Sequence, residues 1–410
     1  MAKMSRAGSM TIGKVSPAVT PRLSSRRIKS LDGLRGLAAL TVVIDHCLIT
    51  NANFSQYLGL SIRPDPSATS WWVTYSPLHV FWSGTEAVYL FFVLSGLVLA
   101  LPWTGRGRPS WMGYYPARLV RLYLPVLGAV GLAAASLALV PRHAVPGGST
   151  WLSSHALNLS WTRVLHDAYL LHGTDNLNGP FWSLEWEVLF SLFLPLFIVG
   201  GKLGRTIWPL KLLALMAAMV VGFRLSNPSL QYMPMFGIGV LMAFHWDELF
   251  AFANRPRTRP ERLYGFAAFW ALLFFLSYWL IFVIGPLNGY NQLDADIAHL
   301  LAVIGSAVVI FLVANWSWPR RFCERPPVQW AGKRSFSIYL VHEPIVVSAA
   351  FLLGGRPNTA VMIVVALPAA LFVANIFYRL IERPAIDLSH IVGGWTSWRP
   401  LERRHGEVGD

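Results

Sequence analysis

Long apolar stretches alternate with short polar, mostly basic segments over almost the whole of the chain. An apolar stretch of about 20 residues is long enough to cross the ~30 Å hydrocarbon core of a bilayer as an α-helix. The pattern therefore predicts an all-α polytopic membrane protein with ten transmembrane helices. These predicted spans cover residues 32–51, 83–104, 119–140, 180–200, 206–223, 229–246, 263–285, 296–316, 335–354 and 360–381.

Composition and charge agree with this fold class. Of the 410 residues, 54% are hydrophobic and only 13% are charged, whereas a soluble domain carries about 25% charged residues. The net charge of +14 does not indicate a nucleic-acid surface, because the Lys and Arg residues form short clusters between the apolar stretches. Basic clusters in such positions are typical of cytoplasmic loops.

The basic clusters also predict the orientation of the chain. If both termini lie in the cytoplasm, only five of the 34 Lys and Arg residues fall outside the cytoplasmic segments and the adjoining helix ends. This asymmetry follows the positive-inside rule and predicts the inner, cytoplasmic membrane as the location. The longest outward-facing segments are 52–82 and 141–179 on this topology.

One domain accounts for most of the chain. Residues 1–30 form a basic tail rich in Ser and Pro, which we expect to be disordered because it cannot bury apolar surface. Residues 31–385 are predicted to form the transmembrane domain, and residues 386–410 a cytoplasmic tail. No internal repeat is visible in the sequence.

The first predicted span contains ionisable residues, which are costly inside a membrane and are therefore candidates for function. Arg35 and His46 are eleven positions apart, within about 20° of three full helical turns, so their side chains share one face. The rise of roughly 16 Å places Arg35 at the cytoplasmic end and His46 deep in the bilayer. Because a neutral imidazole exchanges protons near neutral pH, His46 is a candidate catalytic group. A structural histidine with an anchoring arginine is the alternative.

The start of the fourth predicted span, FWSLEWEVLF, combines hydroxyl and carboxylate groups. Ser183 and Glu187 are four residues apart and share a helix face, whereas Glu185 lies about 200° away from Glu187. Only one of the two glutamates can therefore face a given cavity. The alternative is that both lie at the membrane interface beside an aromatic belt of Trp182 and Trp186.

The ninth predicted span carries a polar stripe on an otherwise apolar helix. Ser335, Tyr339 and His342 fall within about 60° of one another around the helix axis. Such a stripe is expected either to line a cavity or to form hydrogen bonds between helices.

A cytoplasmic basic cluster extends to the start of the third predicted span. It consists of Arg106, Arg108, Arg118 and Arg121, of which the last two are three residues apart. Guanidinium groups suit phosphates because they donate two parallel hydrogen bonds. The cluster is a candidate site for an anionic cofactor, and its alternative role is only to orient the helix in the membrane.

At these residues the chain resembles the acyltransferase family 3 membrane proteins, which include bacterial O-acetylases of surface polysaccharides and macrolide acyltransferases. The resemblance extends from about residue 30 to residue 385 and rests on six motifs in the family's order. These motifs are LDGLRGLAAL followed by His46, FFVLSG at 91–96, ARLVRLYLP at 117–125, FWSLEWEVLF at 181–190, SIYLVHEP at 337–344 and IERP at 381–384. Ser191 departs from the family, in which a Tyr usually stands at this position.

The resemblance implies an integral-membrane O-acyltransferase that moves an acyl group, usually acetyl, from acyl-CoA to a hydroxyl. No metal is implied. The expected acceptor is a carbohydrate in a surface or exported polysaccharide, and a small secondary metabolite such as a macrolide is the alternative. The expected partners are membrane lipid and this acceptor, and nucleic acid is not expected.

The resemblance also implies roles for the candidate residues. His46 is expected to act as a general base or as a transient acyl carrier, and Glu187, which matches the family glutamate, to orient the imidazole or the acceptor. Three arginines are expected to hold the CoA phosphates: Arg35, Arg118 and Arg121. Three residues are expected to line the substrate pocket: Ser183, Tyr339 and His342.

Two readings without enzymatic activity remain open from the sequence. A proton-coupled secondary transporter would use the same intramembrane Arg, His and Glu residues as a proton path. Such carriers are commonly built from inverted repeats, and none is visible here. A membrane scaffold whose polar residues are purely structural is the other reading.

Overall fold

The structure, a computed structural model, describes residues 28–58, 67–105, 109–155, 158–171, 174, 177–254, 260–277 and 292–396. Within these ranges the secondary structure is helical, with no strand. The α-helices are α1 (Lys29–Ile49), α2 (Ala52–Ser55), α3 (Thr69–Thr74), α4 (Gly84–Ala100), α5 (Trp111–Leu139), α6 (Thr150–Ser153), α7 (Trp161–Tyr169), α8 (Phe181–Lys202), α9 (Trp208–Arg224), α10 (Pro228–Phe244), α11 (Trp246–Ala253), α12 (Pro260–Phe275), α13 (Gln292–Asn315), α14 (Ser317–Cys323), α15 (Pro326–Lys333), α16 (Ser335–Leu352), α17 (Thr359–Phe377) and α18 (Arg383–Thr396). The predicted disordered tail, 1–30, lies almost entirely outside the described residues.

Seven helical segments within the described ranges are long and apolar enough to cross a membrane. They match seven of the ten predicted spans and confirm a multi-pass, all-helical membrane protein. The segments are Gly84–Trp103, Trp111–Leu139, Phe181–Lys202, Arg205–Arg224, Ala295–Asn315, Ser335–Leu352 and Thr359–Gly394. An eighth candidate is α10 together with α11, which bend by 69° at their junction and match the predicted span 229–246.

The two remaining predicted spans are not among these segments. The span 32–51 corresponds to α1, which contains Asp32, Arg35 and Asp45, whereas the apolar window of each of the seven segments holds at most two charged residues. The span 263–285 begins with α12 and continues into residues 278–291, which lie outside the described part of the chain. The total of ten spans and the cytoplasmic position of both termini therefore stay predictions.

Two helical segments are longer than their predicted spans. Helix α5 begins at Trp111, eight residues before the predicted span, so Arg118 and Arg121 lie about two turns or more inside the helix and not at its start. After α17, the chain continues through a π-helical segment, Tyr378–Glu382, into α18, which packs against α5. Helix α18 therefore occupies the first part of the predicted C-terminal tail, 386–410, and the rest of this tail lies outside the described residues.

Helix α1 packs closely against the rest of the bundle. Its neighbours include α4, α13, α14, α15, α16 and α17. A Cβ atom on Gly33 would overlap the backbone of Cys323, and one on Gly36 would overlap the backbone of Ala331 and Gly332. Glycine at these two positions lets the backbones touch directly, which holds in place the helix that carries Arg35 and His46.

Helices α4 and α10 cross in the same way. Gly96 of α4 lies against the carbonyl group of Phe236 in α10, and Gly239 of α10 lies against Val93 and Leu97 of α4. Small residues at a helix crossing permit this close approach, which is a main source of packing energy between helices in lipid.

The change Gly239→Ala is expected to destabilise the protein, because the added Cβ would lie 2.6 Å from the backbone nitrogen of Leu97. Overpacking of this kind costs about 1–3 kcal/mol, which thermal unfolding of the purified protein in detergent will show as a lower Tm. Gly131→Ala in α5 is the matched control, since a Cβ there meets nothing within 4 Å. An unchanged Tm for Gly239→Ala would contradict the close crossing.

Candidate active site

His46 lies beside two consecutive residues of α16, His342 and Glu343. Its Nδ1 atom is 3.1 Å from Nε2 of His342 and 3.3 Å from Oε2 of Glu343. Both α16 residues are buried, whereas 15% of the His46 side chain is exposed. The imidazole of His46 is therefore partly exposed, whereas the two α16 side chains beside it are not.

The neighbours of His46 determine which of its ring nitrogens carries hydrogen. Nδ1 of His342 is 2.8 Å from the carbonyl oxygen of Tyr339 and 3.1 Å from that of Ile338. A carbonyl only accepts, so this nitrogen donates, and Nε2 of His342 is left as an acceptor. The Glu343 carboxylate is an acceptor as well, so Nδ1 of His46 must be the donor between them.

Nε2 of His46 consequently keeps a lone pair. Within the described part of the chain, this atom has no hydrogen-bond partner. A neutral imidazole that is held at Nδ1 by a carboxylate and has its Nε2 free is arranged as a general base.

The second carboxylate oxygen of Glu343 faces the loops that cover this end of the bundle. Oε1 is 3.1 Å from Nε2 of His155 and accepts a hydrogen bond from the backbone N–H of Gly179. Two donors therefore bind Oε1, and Nδ1 of His46 lies 3.3 Å from Oε2, which stabilises the ionised form of the carboxylate in a buried position. A Cβ at Gly179 would lie only 2.7 Å from Oε1, so glycine permits this close approach.

The loop between α5 and α7 carries His155 to the site. The hydroxyl of Ser149, the residue that caps α6, donates to the carbonyl of Ile49 at the end of α1 over 2.6 Å. Trp151 of α6 contacts both histidines, with ring centroids 5.0 Å from His46 and 4.6 Å from His155. The loop is thus attached to α1 and packs directly on the imidazole of His46.

Buried polar groups hold the segment that precedes α8. The carboxylate of Asp167 accepts from the Thr174 hydroxyl and from the backbone N–H of Asn178, each over 3.1 Å. The side-chain amide of Asn178 donates to the carbonyl of Leu340 in α16 over 2.8 Å. These bonds fix the neighbouring Gly179 against the Glu343 carboxylate.

Two of the predicted pocket residues, Ser183 and Tyr339, lie next to the histidines. The hydroxyls of Ser183 and Tyr339 are 2.7 Å apart, and both side chains are buried. The ring centroid of Tyr339 is 5.8 Å from that of His342. The structure therefore brings Ser183, Tyr339 and His342 together beside His46, and their part in substrate binding stays a prediction.

Glu187 and Arg118 form an ion pair with each other inside the bundle. The Ser95 hydroxyl donates to the same carboxylate oxygen over 3.2 Å, and Nε of Arg118 donates to the Ser191 hydroxyl over 2.9 Å. The expected partners were the His46 imidazole or the acceptor for Glu187 and the CoA phosphates for Arg118. The two side chains neutralise each other in the structure, and their predicted roles at the imidazole, the acceptor and the CoA phosphates stay predictions.

The other two arginines predicted to bind the donor, Arg35 and Arg121, lie near Glu382 and interact with its charge. Glu382 is buried in the π-helical segment and accepts hydrogen bonds from the backbone N–H of Ser337, over 3.0 Å, and from the hydroxyl of the same residue. Arg121 is exposed and Arg35 is half-buried. Both guanidinium groups are therefore accessible to an anion, whereas Arg118 is largely buried.

Together these groups form a polar column through the bundle. In order, it consists of Arg118, Glu187, Ser183, Tyr339, His342, His46, Glu343 and His155. Glu187 and Ser183 connect its two halves, because they lie one turn, about 6 Å, apart on α8. Polar groups inside a membrane are candidates for function, and this series includes an imidazole whose lone pair can act as a base.

Glu343 and His155 are not among the site residues predicted from the sequence. Glu343 does carry a signal, because it is an ionisable residue inside a predicted span. It lies about 100° from His342 but only about 40° from Tyr339, at the edge of the polar stripe. His155 carries no comparable signal, since it lies in a loop and reaches Glu343 only in the folded protein.

Removal of one partner of the Arg118–Glu187 pair is expected to destabilise the protein by about 3–5 kcal/mol, because the other charge is left buried and unpaired. The side chains are only 13% and 16% exposed. Glu187→Leu tests this expectation, and the double change Arg118→Met, Glu187→Leu is expected to restore most of the loss. Denaturant unfolding in detergent measures both.

The control for this pair is Glu324→Leu, which breaks a surface ion pair between Arg320 and Glu324. Exposed pairs contribute only about 0–1 kcal/mol, so this change is expected to have little effect. Additive losses in the Arg118 and Glu187 double variant would contradict a coupled pair.

Comparison with known proteins identifies relatives of the chain. A putative O-acetyltransferase of Staphylococcus aureus strain COL is 23% identical over an alignment of 390 residues, which covers 88% of this chain and 57% of that protein. The putative peptidoglycan O-acetyltransferase YrhL of Bacillus subtilis strain 168 is 24% identical over 393 residues, with 88% and 55% covered. Acyltransferase MdmB of Streptomyces mycarofaciens is 31% identical over 173 residues, with 42% and 39% covered.

The chain thus spans between 39% and 57% of the length of these curated relatives. No solved structure matches it. A family model described as an acyltransferase domain matches residues 28–379, a range that includes every residue of the polar column. This match confirms the predicted resemblance, and the chain belongs to the acyltransferase family that the model describes.

Proposed function

We propose that the protein is a membrane O-acyltransferase in which His46 activates the hydroxyl group of the acceptor. The observation that carries this proposal is the free Nε2 of His46, whose Nδ1 is held by His342 and Glu343. A base positioned in this way contributes about 10²–10⁴-fold to the rate of a reaction. The relatives named as an acyltransferase and as putative O-acetyltransferases support the same reaction type.

In the proposed reaction, the acceptor hydroxyl gives its proton to Nε2 of His46 as its oxygen attacks the thioester carbonyl of the donor. The carbon–sulfur bond then breaks, the acyl group stays on the acceptor oxygen, and the proton passes from the imidazolium to the leaving thiolate. Glu343 stabilises the transient imidazolium, because Nδ1–H then donates to a carboxylate. Nε2 is also the atom that a transient acyl group would occupy, and mass spectrometry of quenched protein would detect that adduct.

The proposed donor is an acyl-CoA, with acetyl-CoA as the first candidate. Arg35 and Arg121 offer two accessible guanidinium groups at the end of the bundle predicted to be cytoplasmic, and CoA carries phosphates that suit them. The thioester would reach His46 along α1, on which Arg35 and His46 share one face about 16 Å apart.

Arg121→Ala is expected to weaken CoA binding by about tenfold or more, since a charge-assisted hydrogen bond contributes about 1.5–3 kcal/mol. Equilibrium binding of CoA to the purified protein in detergent measures the effect. Arg320→Ala is the control, because Arg320 is an exposed arginine on α14. Unchanged affinity in Arg121→Ala would remove this residue from the donor site.

We propose a carbohydrate hydroxyl as the acceptor, in a surface or exported polysaccharide, with the protein in the inner membrane. Two observations support this choice: His46 lies near the end of α1 that is predicted to face outward, and one relative is named as a putative peptidoglycan O-acetyltransferase. A small secondary metabolite is the alternative acceptor and rests on the family resemblance alone.

The experiment that tests the function incubates the purified protein with radiolabelled acetyl-CoA and soluble N-acetylglucosamine oligomers. Label that enters the oligomers through an ester bond supports the proposal.

The transporter alternative is tested with the same protein in liposomes. Proton-driven uptake of a solute with neither label transfer nor release of CoA would overturn the enzymatic reading. Loss of the acetyl mass increment from cell-surface glycan after gene deletion would identify the natural acceptor class.

A further inference from the structure

His155 is the member of the polar column to which the proposed chemistry assigns no role. It lies outside the apolar helical segments, in the loop between α5 and α7 that is predicted to face outward. Its side chain is nevertheless only 4% exposed and contacts the buried carboxylate of Glu343. His155 therefore joins the loop that is predicted to face outward directly to the carboxylate beside His46.

Both ring nitrogens of His155 face groups that only accept hydrogen bonds. Nδ1 is 2.8 Å from the carbonyl oxygen of Trp151, and Nε2 is 3.1 Å from Oε1 of Glu343. The Ser154 hydroxyl lies 3.3 Å from Nδ1 but donates its own hydrogen to the Trp151 carbonyl over 2.7 Å. Each nitrogen must therefore carry a hydrogen, and the ring is an imidazolium.

We infer that the imidazolium of His155 is a positioning residue that holds the Glu343 carboxylate against His46, so that acyl transfer depends on the protonation state of this loop. The inference rests on the proposed function. The two oxygens of Glu343 then have different roles. The His155 imidazolium fixes Oε1, and Oε2 faces the catalytic base, His46. The Gly179 N–H assists on the Oε1 side.

The charges around His155 agree with a protonated ring. Burial lowers the pKa of His155, but the charge of Glu343 and the hydrogen bonds to Glu343 and Trp151 outweigh it, and the net shift is upward from the ordinary value of 6.5. Arg142, in the same loop, opposes the shift through its positive charge. Beyond the carboxylate, the groups that face the pair are His46 of α1 and His342 of α16.

Loss of one proton from His155 breaks one of its two hydrogen bonds. Either neutral tautomer has a single N–H, which can satisfy the Trp151 carbonyl or Glu343 but not both. Because the folded pKa is raised, both bonds and the positive charge beside Glu343 are complete below about pH 6.5, and the charge and one of the bonds are lost as the pH rises through the higher folded pKa. The acyl-transfer rate is expected to fall over the same alkaline range.

The test compares the wild-type protein with His155→Gln, whose amide can still donate to Glu343 but carries no charge. The readout is kcat and KM for CoA release from acetyl-CoA, measured against pH in detergent with and without N-acetylglucosamine oligomers. We expect kcat to fall about 10–100-fold, as is typical when a group that orients a functional histidine or its carboxylate is removed. The KM for acetyl-CoA is expected to stay unchanged, and the alkaline fall of the wild type is expected to disappear.

The matched control is His143→Gln, which changes an exposed histidine of the same loop and is expected to keep the wild-type pH profile. A His155→Gln protein with wild-type kcat and the wild-type alkaline fall would overturn the inference. It would leave the proposed function intact as long as His46→Ala remained inactive.

A second measurement does not need turnover. In protein labelled with ¹⁵N-histidine and titrated by NMR, one side chain with two protonated ring nitrogens is expected to lose its proton at a higher pH than an ordinary histidine, and this signal is expected to vanish in His155→Gln only. If the wild type transfers no acyl group but shows this signal, the proposed function fails while the protonation state stands. A His155 that is largely neutral at about pH 6.5 would overturn the inference directly.

Discussion

Replacement of His46 by alanine is expected to lower the rate of acyl transfer by about 10²–10⁴-fold, the contribution of a positioned general base. The change removes Nε2, which has no partner among the described residues and is therefore available to a substrate hydroxyl. The fold is expected to survive, because His342 keeps its bonds to backbone carbonyls and Glu343 keeps those to His155 and Gly179. Radiolabel transfer from acetyl-CoA by the purified variant measures the effect.

His390→Ala is the control for this variant, since His390 is an exposed histidine on α18 and is not part of the polar column. Both variants are compared with the wild type for yield, elution from size-exclusion chromatography and Tm. Partial recovery of the His46→Ala rate on addition of free imidazole would strengthen the role as a base. A stable His46→Ala protein with the wild-type rate would end the catalytic proposal.

Glu343→Gln is expected to be nearly as damaging as His46→Ala, with a loss of about 10²–10⁴-fold in kcat. The amide oxygen can replace Oε1 and accept from Gly179 and His155, so the amide nitrogen then faces Nδ1 of His46. This nitrogen donates, which forces the proton of His46 from Nδ1 to Nε2 and removes the base. In serine proteases, an Asp→Asn change beside the catalytic histidine stabilises the wrong tautomer in the same way and lowers kcat by about 10⁴-fold.

The change preserves shape and most hydrogen bonds, so the loss is expected in kcat with little change in Tm. Glu324→Gln is the control, because it removes the charge of a glutamate in a surface ion pair with Arg320. Steady-state kinetics of both variants with acetyl-CoA separates kcat from KM. A Glu343→Gln protein that retains more than about a third of the wild-type kcat would show that this carboxylate does not set the tautomer of His46.

The helices were predictable because membrane spans depend on local composition. Apolar length alone identifies Gly84–Trp103 and Ser335–Leu352, since the bilayer requires about 20 apolar residues and internal backbone hydrogen bonds. Helix ends were less predictable. Helix α5 extends upstream of its predicted start to Trp111, through a segment that contains Pro116 and Arg118. This extension packs against α18, and such contacts between distant segments do not appear in any local sequence pattern.

The candidate site was predictable where it lies on one helix face. Helical periodicity places Arg35 and His46 on a common side of α1, and it aligns Tyr339 with His342 on α16. Pairing between helices was not predictable, because it depends on which faces meet after packing. The partner of Glu187 is Arg118, 69 residues earlier in the chain, and the carboxylate beside His46 comes from a residue 297 positions later.

The backbone contacts at Gly33 and Gly36 join α1 directly to the pair of short helices α14 and α15. His46 lies about 20 Å from Gly33 along the same helix. The seating of α1 on these two short helices therefore contributes to the position of the imidazole beside the carboxylate of α16. Because misplacement by about 1 Å can cost 10²-fold in rate, Gly33 and Gly36 are expected to affect the chemistry although both lie far along α1 from His46.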